Sequence, residues 1–378
     1  MGTFWRSISG VLALLLVVPA AASGGRERRV PPGKPIVIGL HAPMTGAVPL
    51  PSQSLGPASD IYWKWLRHKG MTINGRNVEI VLRNDNGNPQ QARQVCREMV
   101  KEDGAFILAG VLQNSSGSVQ SEECAEVAEN AGISYISLGG TTAGVKDLTN
   151  HFAISMTFRA QGRLLADHFV EKMKARGRNN GVVSFNTPHN LEATRAFRNR
   201  LEDRKADLDV ERLIARTAGA TEAQAVAAEL KAAGVENVFV FTSPTFFIQL
   251  LQAANNLSYE PLWSGIGISV TTSDDFVSLV CRNGVSFRGR FFSPLPAFGD
   301  RADYDPTFEL EMAAIYPTGP RLTTRSFISG VEAASDLSTG ILPALDFTPR
   351  DHFGASQTHV LAPRCSDERW HTGAKPYG

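Results

Sequence analysis

The chain has 378 residues, of which 43% are apolar and 20% charged, with 38 Lys+Arg against 37 Asp+Glu and four Cys. That length accommodates two or three domains with substantial cores, and this composition excludes a broadly disordered chain. A formal charge of +1 gives no electrostatic footprint for nucleic acid or for an anionic membrane surface, so no nucleic-acid partner is expected and a small molecule is.

The first segment sets the compartment. Met1–Arg6 carries one positive charge, Ile8–Val18 is an apolar run, and Pro19-Ala-Ala-Ala22-Ser23 supplies small residues. The run is shorter than the ~20 residues that span a bilayer and lacks amphipathic spacing. Residues 1–22 therefore read as a signal peptide cleaved near Ala22, with no nearby Cys to serve as a lipoprotein acylation site. Cleavage removes Arg6 alone among the charged side chains, so the 38 Lys+Arg become 37 and balance the 37 Asp+Glu. Residues 23–34 read as a polar leader, and no later run is long and apolar enough to cross a membrane. The expected location is periplasmic or extracellular.

From Pro35 onward, β-branched runs alternate with amphipathic stretches. Ile36–Leu40 reads as a buried strand, Asp60–His68 as a helix, and Asn77–Asn84 as a second strand. The Pro89–Glu102 helix follows with Pro near its start, then strand Ala105–Ala109, helix Ser116–Ala131, strand Ser134–Leu138 and extended Phe152–Thr157. This order predicts a parallel sheet with helices on both faces. The pattern then restarts. Helices are expected over Gln161–Arg176, Leu191–Ala206, Thr221–Ala233 and Pro244–Asn255, with strands at Gly181–Phe185, Val210–Ala215, Val238–Phe241 and Pro261–Gly265. After Gly284 the order changes to an extended Phe287–Leu295, helices near Asp305–Tyr316 and Thr323–Gly340, and short extended pieces including Thr358–Leu361.

In an exported chain, four Cys favour two disulfides with three possible pairings. Cys96 shares a helical stripe with Ala92, Val95, Met99 and Val100, and Cys124 shares one with Ala128 and Ala131. The two helices flank one strand and lie side by side in a right-handed α/β layer. That pairs Cys96 with Cys124 and, by elimination, Cys281 with Cys365. Loop-closure entropy assigns them about 3.5 and about 4.5 kcal/mol. No CxxC is present, which argues against zinc and dithiol redox sites.

Catalytic signatures are absent or incomplete. There is no HExxH, GxSxG or EF-hand loop. Gly139-Gly-Thr-Thr-Ala-Gly144-Val-Lys146 misplaces the lysine of a phosphate loop, and Gly265-Ile-Gly267 lacks the third glycine of a dinucleotide turn. No cofactor and no metal is expected. What stands out is the chemistry after the strands. Ala42-Pro-Met-Thr45-Gly46, Gln113-Asn-Ser-Ser-Gly117, Gly139-Gly-Thr-Thr142, Asn186-Thr-Pro-His-Asn190 and Thr242-Ser-Pro-Thr245 each place neutral hydrogen-bonding groups before a helix N-terminus. Any one of them reads equally as an N-cap. Five, at equivalent places in two units, point to a ligand cleft between lobes.

Ile36-Val-Ile-Gly-Leu-His-Ala-Pro-Met-Thr-Gly46, Ile73-Asn-Gly75, Asp85, the Ala92–Asp103 helix, Asn130-Ala-Gly-Ile133 and Ser137-Leu-Gly-Gly-Thr141 together resemble the leucine/isoleucine/valine-binding family of type I periplasmic binding proteins. These are solute receptors of ABC importers. The resemblance implies two doubly wound parallel-sheet lobes joined by a three-crossing hinge, with crossings near Thr157, Pro294 and Pro343. Lobe 1 is then 35–157 plus 294–343, and lobe 2 is 158–293 plus 344–378. It also implies a membrane permease as partner and no enzymatic activity.

By the same resemblance, Gln113, Asn114 and Ser115 after the third strand and Gly139, Gly140 and Thr141 after the fourth hold the ligand's carboxylate and amine, and Thr45 sits beside them. His189 and Ser243 contribute from the second lobe, with His189 either against ligand or on the surface. Phe246 and Phe247 read as helical core or as apolar wall. Family members that bind amino acids place an acidic residue at the strand end near Ile266. Here Ser264-Gly-Ile-Gly-Ile268 has no carboxylate, and a buried ammonium without a counter-charge is costly. Either Glu192 or Asp274 substitutes, or the solute is a neutral or carboxylate-bearing compound. Two other functions fit the same sequence: a ligand-sensing receptor module, and an extracellular hydrolase using His189 and a cleft Ser.

Overall fold

The computed structural model describes residues 30–31, 33–45, 62–70, 72–73, 75–110, 117–137, 145, 147–266, 274–285, 287–293, 323–333, 335–337, 344–373 and 375–378. The signal-peptide and leader assignments lie almost wholly outside them.

The first sheet has five parallel strands in the order β2-β1-β3-β4-β5. They are β1 Ile36–Ala42, β2 Val78–Asn84, β3 Ile107–Gly110, β4 Ser134–Ser137 and β5 His151–Ala153. A short helix α1 (62–68), α2 Pro89–Lys101 and α3 Gly117–Ala131 connect them. Asn88 caps α2 by accepting from Gln91 N, and Pro89 fills the first turn, where a missing N–H costs nothing. Apolar positions of α2 and α3 (Ala92, Cys96, Met99, Cys124, Ala128) cover one sheet face with Leu108 and Tyr135.

The second sheet runs β12-β11-β10-β9-β8-β6-β7. Its strands are β6 Asn180–Phe185, β7 Val210–Ile214, β8 Asn237–Phe241, β9 Leu262–Ile266, β10 Arg288–Ser293, β11 His359–Arg364 and β12 Arg369–Thr372. Strands β6 to β10 are parallel, and β11 and β12 close the edge antiparallel. β6 and β8 are buried along their whole length, as central strands covered on both faces are. α4 Phe158–Lys172 and α5 Pro188–Asp203 pack one face. α6 Ala220–Ala232, α7 Pro244–Asn256 and α8 Asp274–Arg282 pack the other. Strand order reverses at β1/β3 and at β6/β8, so both units are doubly wound, as expected.

Differences from the sequence reading are local. α8 goes unread because nine residues give too short a periodic signal beside the polar run Thr271-Thr-Ser-Asp-Asp275. The extended Phe152–Thr157 shrinks to β5. The Thr323–Gly340 helix stops at Glu332, forming α9 Thr324–Glu332, and the Asp305–Tyr316 helix lies outside the described residues. Phe246 and Phe247 are buried in the core between α7 and the sheet.

The chain enters the second unit at Thr157, which caps α4 by accepting from Ala160 N at 3.1 Å. It comes back to the first at α9, where Phe327 packs edge-on to Phe106. The crossing expected near Pro343 falls at the edge of a segment outside the described residues. Phe353 bridges Ala153 beside β5, and Leu345, Phe347 and Ala355 are buried against Phe152 and Met156. The chain joins the second sheet only at Thr358, paired with Tyr377, and β11. Among the described residues, the apolar side chains up to Ala355 pack beside β5, and pairing in the second sheet begins at Thr358.

Cys96 pairs with Cys124 (Cα–Cα 5.6 Å) and Cys281 with Cys365 (5.4 Å). The first fastens α2 to α3. The second fastens α8 to the β11–β12 turn, where Glu368 also accepts from Ser278 Oγ and Arg282 Nε. Because it closes the longer loop, Cys281→Ala/Cys365→Ala should destabilise the fold by about 3–5 kcal/mol, more than Cys96→Ala/Cys124→Ala if loop entropy dominates. Denaturant unfolding of both double variants under non-reducing conditions measures this.

Candidate functional site

In doubly wound sheets, ligand groups gather at the carboxyl ends of strands where the order reverses, because the connecting loops part there and helix N-termini point inward. In the first unit that place is the end of β1. Its continuation, Pro43-Met44-Thr45, is tied down by neutral side chains. Asn84 Oδ1 accepts from Met44 N at 2.9 Å, and Asn84 Nδ2 donates to Thr45 Oγ1 at 2.8 Å. Thr45 in turn donates to Asn86, whose amide reaches Gln91. Thr45 is exposed at this rim. Gln113, Asn114, Ser115, Gly139, Gly140 and Thr141 lie outside the described residues. Both segments leave described strand ends, at Gly110 of β3 and Ser137 of β4.

Beneath this rim is a buried polar group that sequence reasoning missed. His41 Nδ1 donates to Asp85 Oδ2 at 2.8 Å, and His41 Nε2 meets the Tyr135 hydroxyl at 2.8 Å. Both ring nitrogens of His41 are thereby engaged, one by a carboxylate and one by a phenol. Asp85 is further fixed by the Gly87 N–H at 2.8 Å. Burial pushes the Tyr135 phenol far above its ordinary value, so it acts as a donor and not as an anion. The cluster links Asp85, just past the end of β2, with His41 of β1 and Tyr135 of β4, and the His41 and Tyr135 polar atoms close over Gly110 of β3. On α3, Gln120 is 2% exposed and neither atom of its amide has a partner. The signal for the row was available: His41 and Tyr135 are polar or half-polar residues at strand positions that a simple core would fill with aliphatic ones, and Asp85 directly follows a strand.

In the second unit, His189 is neither on a loop nor on the surface. It occupies the first turn of α5 after Pro188 and is 2% exposed, with its ring 5.9 Å from that of Phe158. The neighbouring Asn190 donates to the Phe241 carbonyl at 2.6 Å, binding the α5 N-terminus to the end of β8. Ser243 caps α7 by accepting from Phe246 N at 3.2 Å. The Ile266 side chain is fully buried in the cluster of Phe158, Phe241 and Phe292.

Asp85 is already committed to His41, and Glu192 lies 3.6 Å from Arg159. The loop segments 46–50, 111–116, 138–144 and 267–273 contain no acidic residue. The side chain of Asp274 lies outside the described ones. Among the described residues, no helix is long and apolar enough to cross a membrane.

A family model for periplasmic binding proteins matches residues 35–277, which is more than half the chain. The chain belongs to the periplasmic binding protein family. Its two doubly wound sheets place it with the type I, leucine/isoleucine/valine-binding architecture. Among solved structures, a leucine-binding protein from Thermotoga maritima matches with a TM-score of 0.72 at 10% identity, covering 90% of this chain and 98% of that one. A solute-binding protein of an ABC transporter from Rhodopseudomonas palustris, in complex with 3,4-dihydroxybenzoic acid, matches with a TM-score of 0.71 at 15% identity, covering 90% and 96%. Likeness at these identities is likeness of fold. An "Amino acid binding protein" from Pseudomonas aeruginosa is 30% identical over 149 residues, a match that spans 37% of this periplasmic binding protein and 37% of that relative.

Proposed function

We propose that the protein is an exported, non-enzymatic solute receptor of an ABC importer, which closes two lobes over a small neutral or carboxylate-bearing organic solute. The observation that carries the solute class is that loop segments 46–50, 111–116, 138–144 and 267–273 contain no acidic residue, while Asp85 and Glu192, among the described residues, are engaged by His41 and Arg159. An α-amino acid would bury its ammonium without a counter-charge, at a cost of several kcal/mol. A carboxylate fits the N–H groups at helix N-termini instead. The complex of a fold relative with a dihydroxybenzoic acid supports this class, and the amino-acid-binding relative supports the alternative. Lobe 1 comprises 35–157 with the return segment that ends near Ala355, and lobe 2 comprises 158–293 with the C-terminal hairpin. Solute touching both lobes favours the closed state, which docks on a membrane permease.

A thermal-shift panel of benzoate, 4-hydroxybenzoate, a medium-chain fatty acid, leucine and isoleucine tests the reading, since bound solute raises apparent stability. Stabilisation by a carboxylate lacking an ammonium group is expected. Stabilisation by leucine or isoleucine alone would overturn the solute class. Thr141→Ala is expected to weaken the solute found this way by tenfold or more, with the melting temperature of the free protein unchanged; calorimetry measures both, and unchanged affinity removes Thr141 from the site.

A further inference from the structure

The disulfide of the first unit lies beside a histidine. His41, Cys96 and Cys124 present an imidazole nitrogen and two sulfurs that all lie within 4.8 Å of one another, and all three residues are buried. In the structure the two sulfurs are bonded to each other, so the oxidised chain offers no thiolate. The chain before oxidation does. Two thiolates and an imidazole are a soft to borderline donor set of the kind that takes zinc. Two thiolate charges also cancel Zn2+, which matters in a core where an unbalanced charge is costly.

The surroundings are those of a ligating imidazole. His41 Nδ1 donates to the Asp85 carboxylate at 2.8 Å, the arrangement that fixes ring orientation and strengthens the other nitrogen as a donor. That other nitrogen, Nε2, meets the Tyr135 hydroxyl at 2.8 Å, and the phenol oxygen is a neutral candidate for a fourth position. The cysteines escape the usual sequence signature because the three ligands come from β1, α2 and α3 and not from one CxxC turn.

We propose that, before the Cys96–Cys124 disulfide forms, Cys96, Cys124 and His41 bind one Zn2+. Zinc displaces the two thiol protons to solvent, and no electrons move. Disulfide and metal are then alternative fastenings of α2 to α3, the metal also holding β1 through His41, and each excludes the other. Zinc would hold the first unit folded in the newly exported chain and would delay oxidation of this pair.

The test uses the full chain, refolded with a phosphine reductant, stripped of metal by a chelator, and titrated with Zn2+ against a chromophoric chelator. One equivalent bound by the reduced wild type and none by the oxidised protein is expected. Cys281→Ser/Cys365→Ser should keep that equivalent. Cys96→Ser/Cys124→Ser, His41→Ala and His41→Gln should each lose it or bind at least tenfold more weakly, with His41→Gln retaining an acceptor for Tyr135 in case the alanine variant unfolds. Circular dichroism of the reduced chain should gain native signal on adding Zn2+. Zinc binding that survives both His41 substitutions, that follows the Cys281–Cys365 pair, or that is absent from the reduced wild type overturns the proposal.

Discussion

Gly110→Ala is expected to destabilise the first unit by about 3–5 kcal/mol, a fall of about 10 °C in melting temperature for a unit of this size. Gly110 is the last residue of β3, and a methyl group there would lie 2.0 Å from the Tyr135 hydroxyl, 2.6 Å from His41 Nε2 and 3.0 Å from Ser121 Oγ. These atoms have no freedom to retreat. The phenol is held by His41, His41 by Asp85, and Asp85 by the Gly87 N–H. Relieving the clash breaks the row, which leaves a buried carboxylate and imidazole without their partners. The same row underlies the Pro43–Thr45 rim and both strand ends that lead into the candidate ligand loops, so solute affinity should fall with stability.

A double-mutant cycle with Tyr135→Phe checks the cause. Tyr135→Phe removes the nearest clashing atom while costing about 1–3 kcal/mol through the unpaired imidazole. Gly110→Ala should therefore cost less in the Tyr135→Phe background than in the wild type, giving a coupling of at least about 1 kcal/mol by denaturant unfolding. Additive effects would mean that the glycine is needed for some reason other than this row.

Period and punctuation made most of the fold legible. Runs such as Val182–Phe185 and Val238–Phe241 have the β-branched, turn-bounded character of strands buried on both faces, and both are central in the second sheet. Cys96 and Cys124 were paired correctly because two helices flanking one strand of a right-handed layer must lie side by side. What escaped was set by tertiary contact. Whether the residues after Pro343 belong to one unit or the other depends on which apolar surface Leu345 and Phe347 find, and no local signal carries that. The candidate site divides the same way. Ser243 could be read as a cap from its neighbours alone. The burial of His189 against Phe158 depends on α4, a neighbour about thirty residues earlier in the chain. The His41–Asp85–Tyr135 row exists only once β2, β1, β3 and β4 lie in their non-sequential order.

Stability should fall steeply between pH 6.5 and about 4, and two buried histidines should account for much of the fall. Burial first, and the charge of His352 second, pull the His151 imidazole down to about 3. His151 stacks on Tyr135 and meets Ser137 Oγ at 2.9 Å, while its carbonyl accepts from His352 Nδ1 at 2.9 Å. Burial, followed by Arg290 and Lys172, pulls His168 down to about 4. Its ring sits edge-on to Phe292 and Tyr377. In the unfolded chain both titrate near their ordinary value of about 6.5. Both folded values lie below that, so within the window the unfolded chain binds more protons and acid drives unfolding. The contribution is fully present above pH 6.5 and is lost progressively as pH falls toward each folded value. At about 1.4 kcal/mol per unit, the shifts correspond to roughly 3–5 kcal/mol for each residue. The carboxylates held low by their partners, such as Glu171 beside Tyr377 and Arg204, act in a different range, because their stabilisation is lost only as pH falls through and below about 4.5. Melting temperatures measured from pH 7.5 to 4 should therefore flatten in His151→Asn and in His168→Asn, although each variant is less stable than wild type at pH 7.5. Wild-type slopes in both variants between pH 6.5 and 4.5 would assign the acid sensitivity elsewhere. His151 lies on β5 just before the first crossing, and His168 lies on α4 just after it. Acid should therefore loosen the segments that join the two units before it melts the central strands, and proteolysis near the crossings should begin at a higher pH than global unfolding.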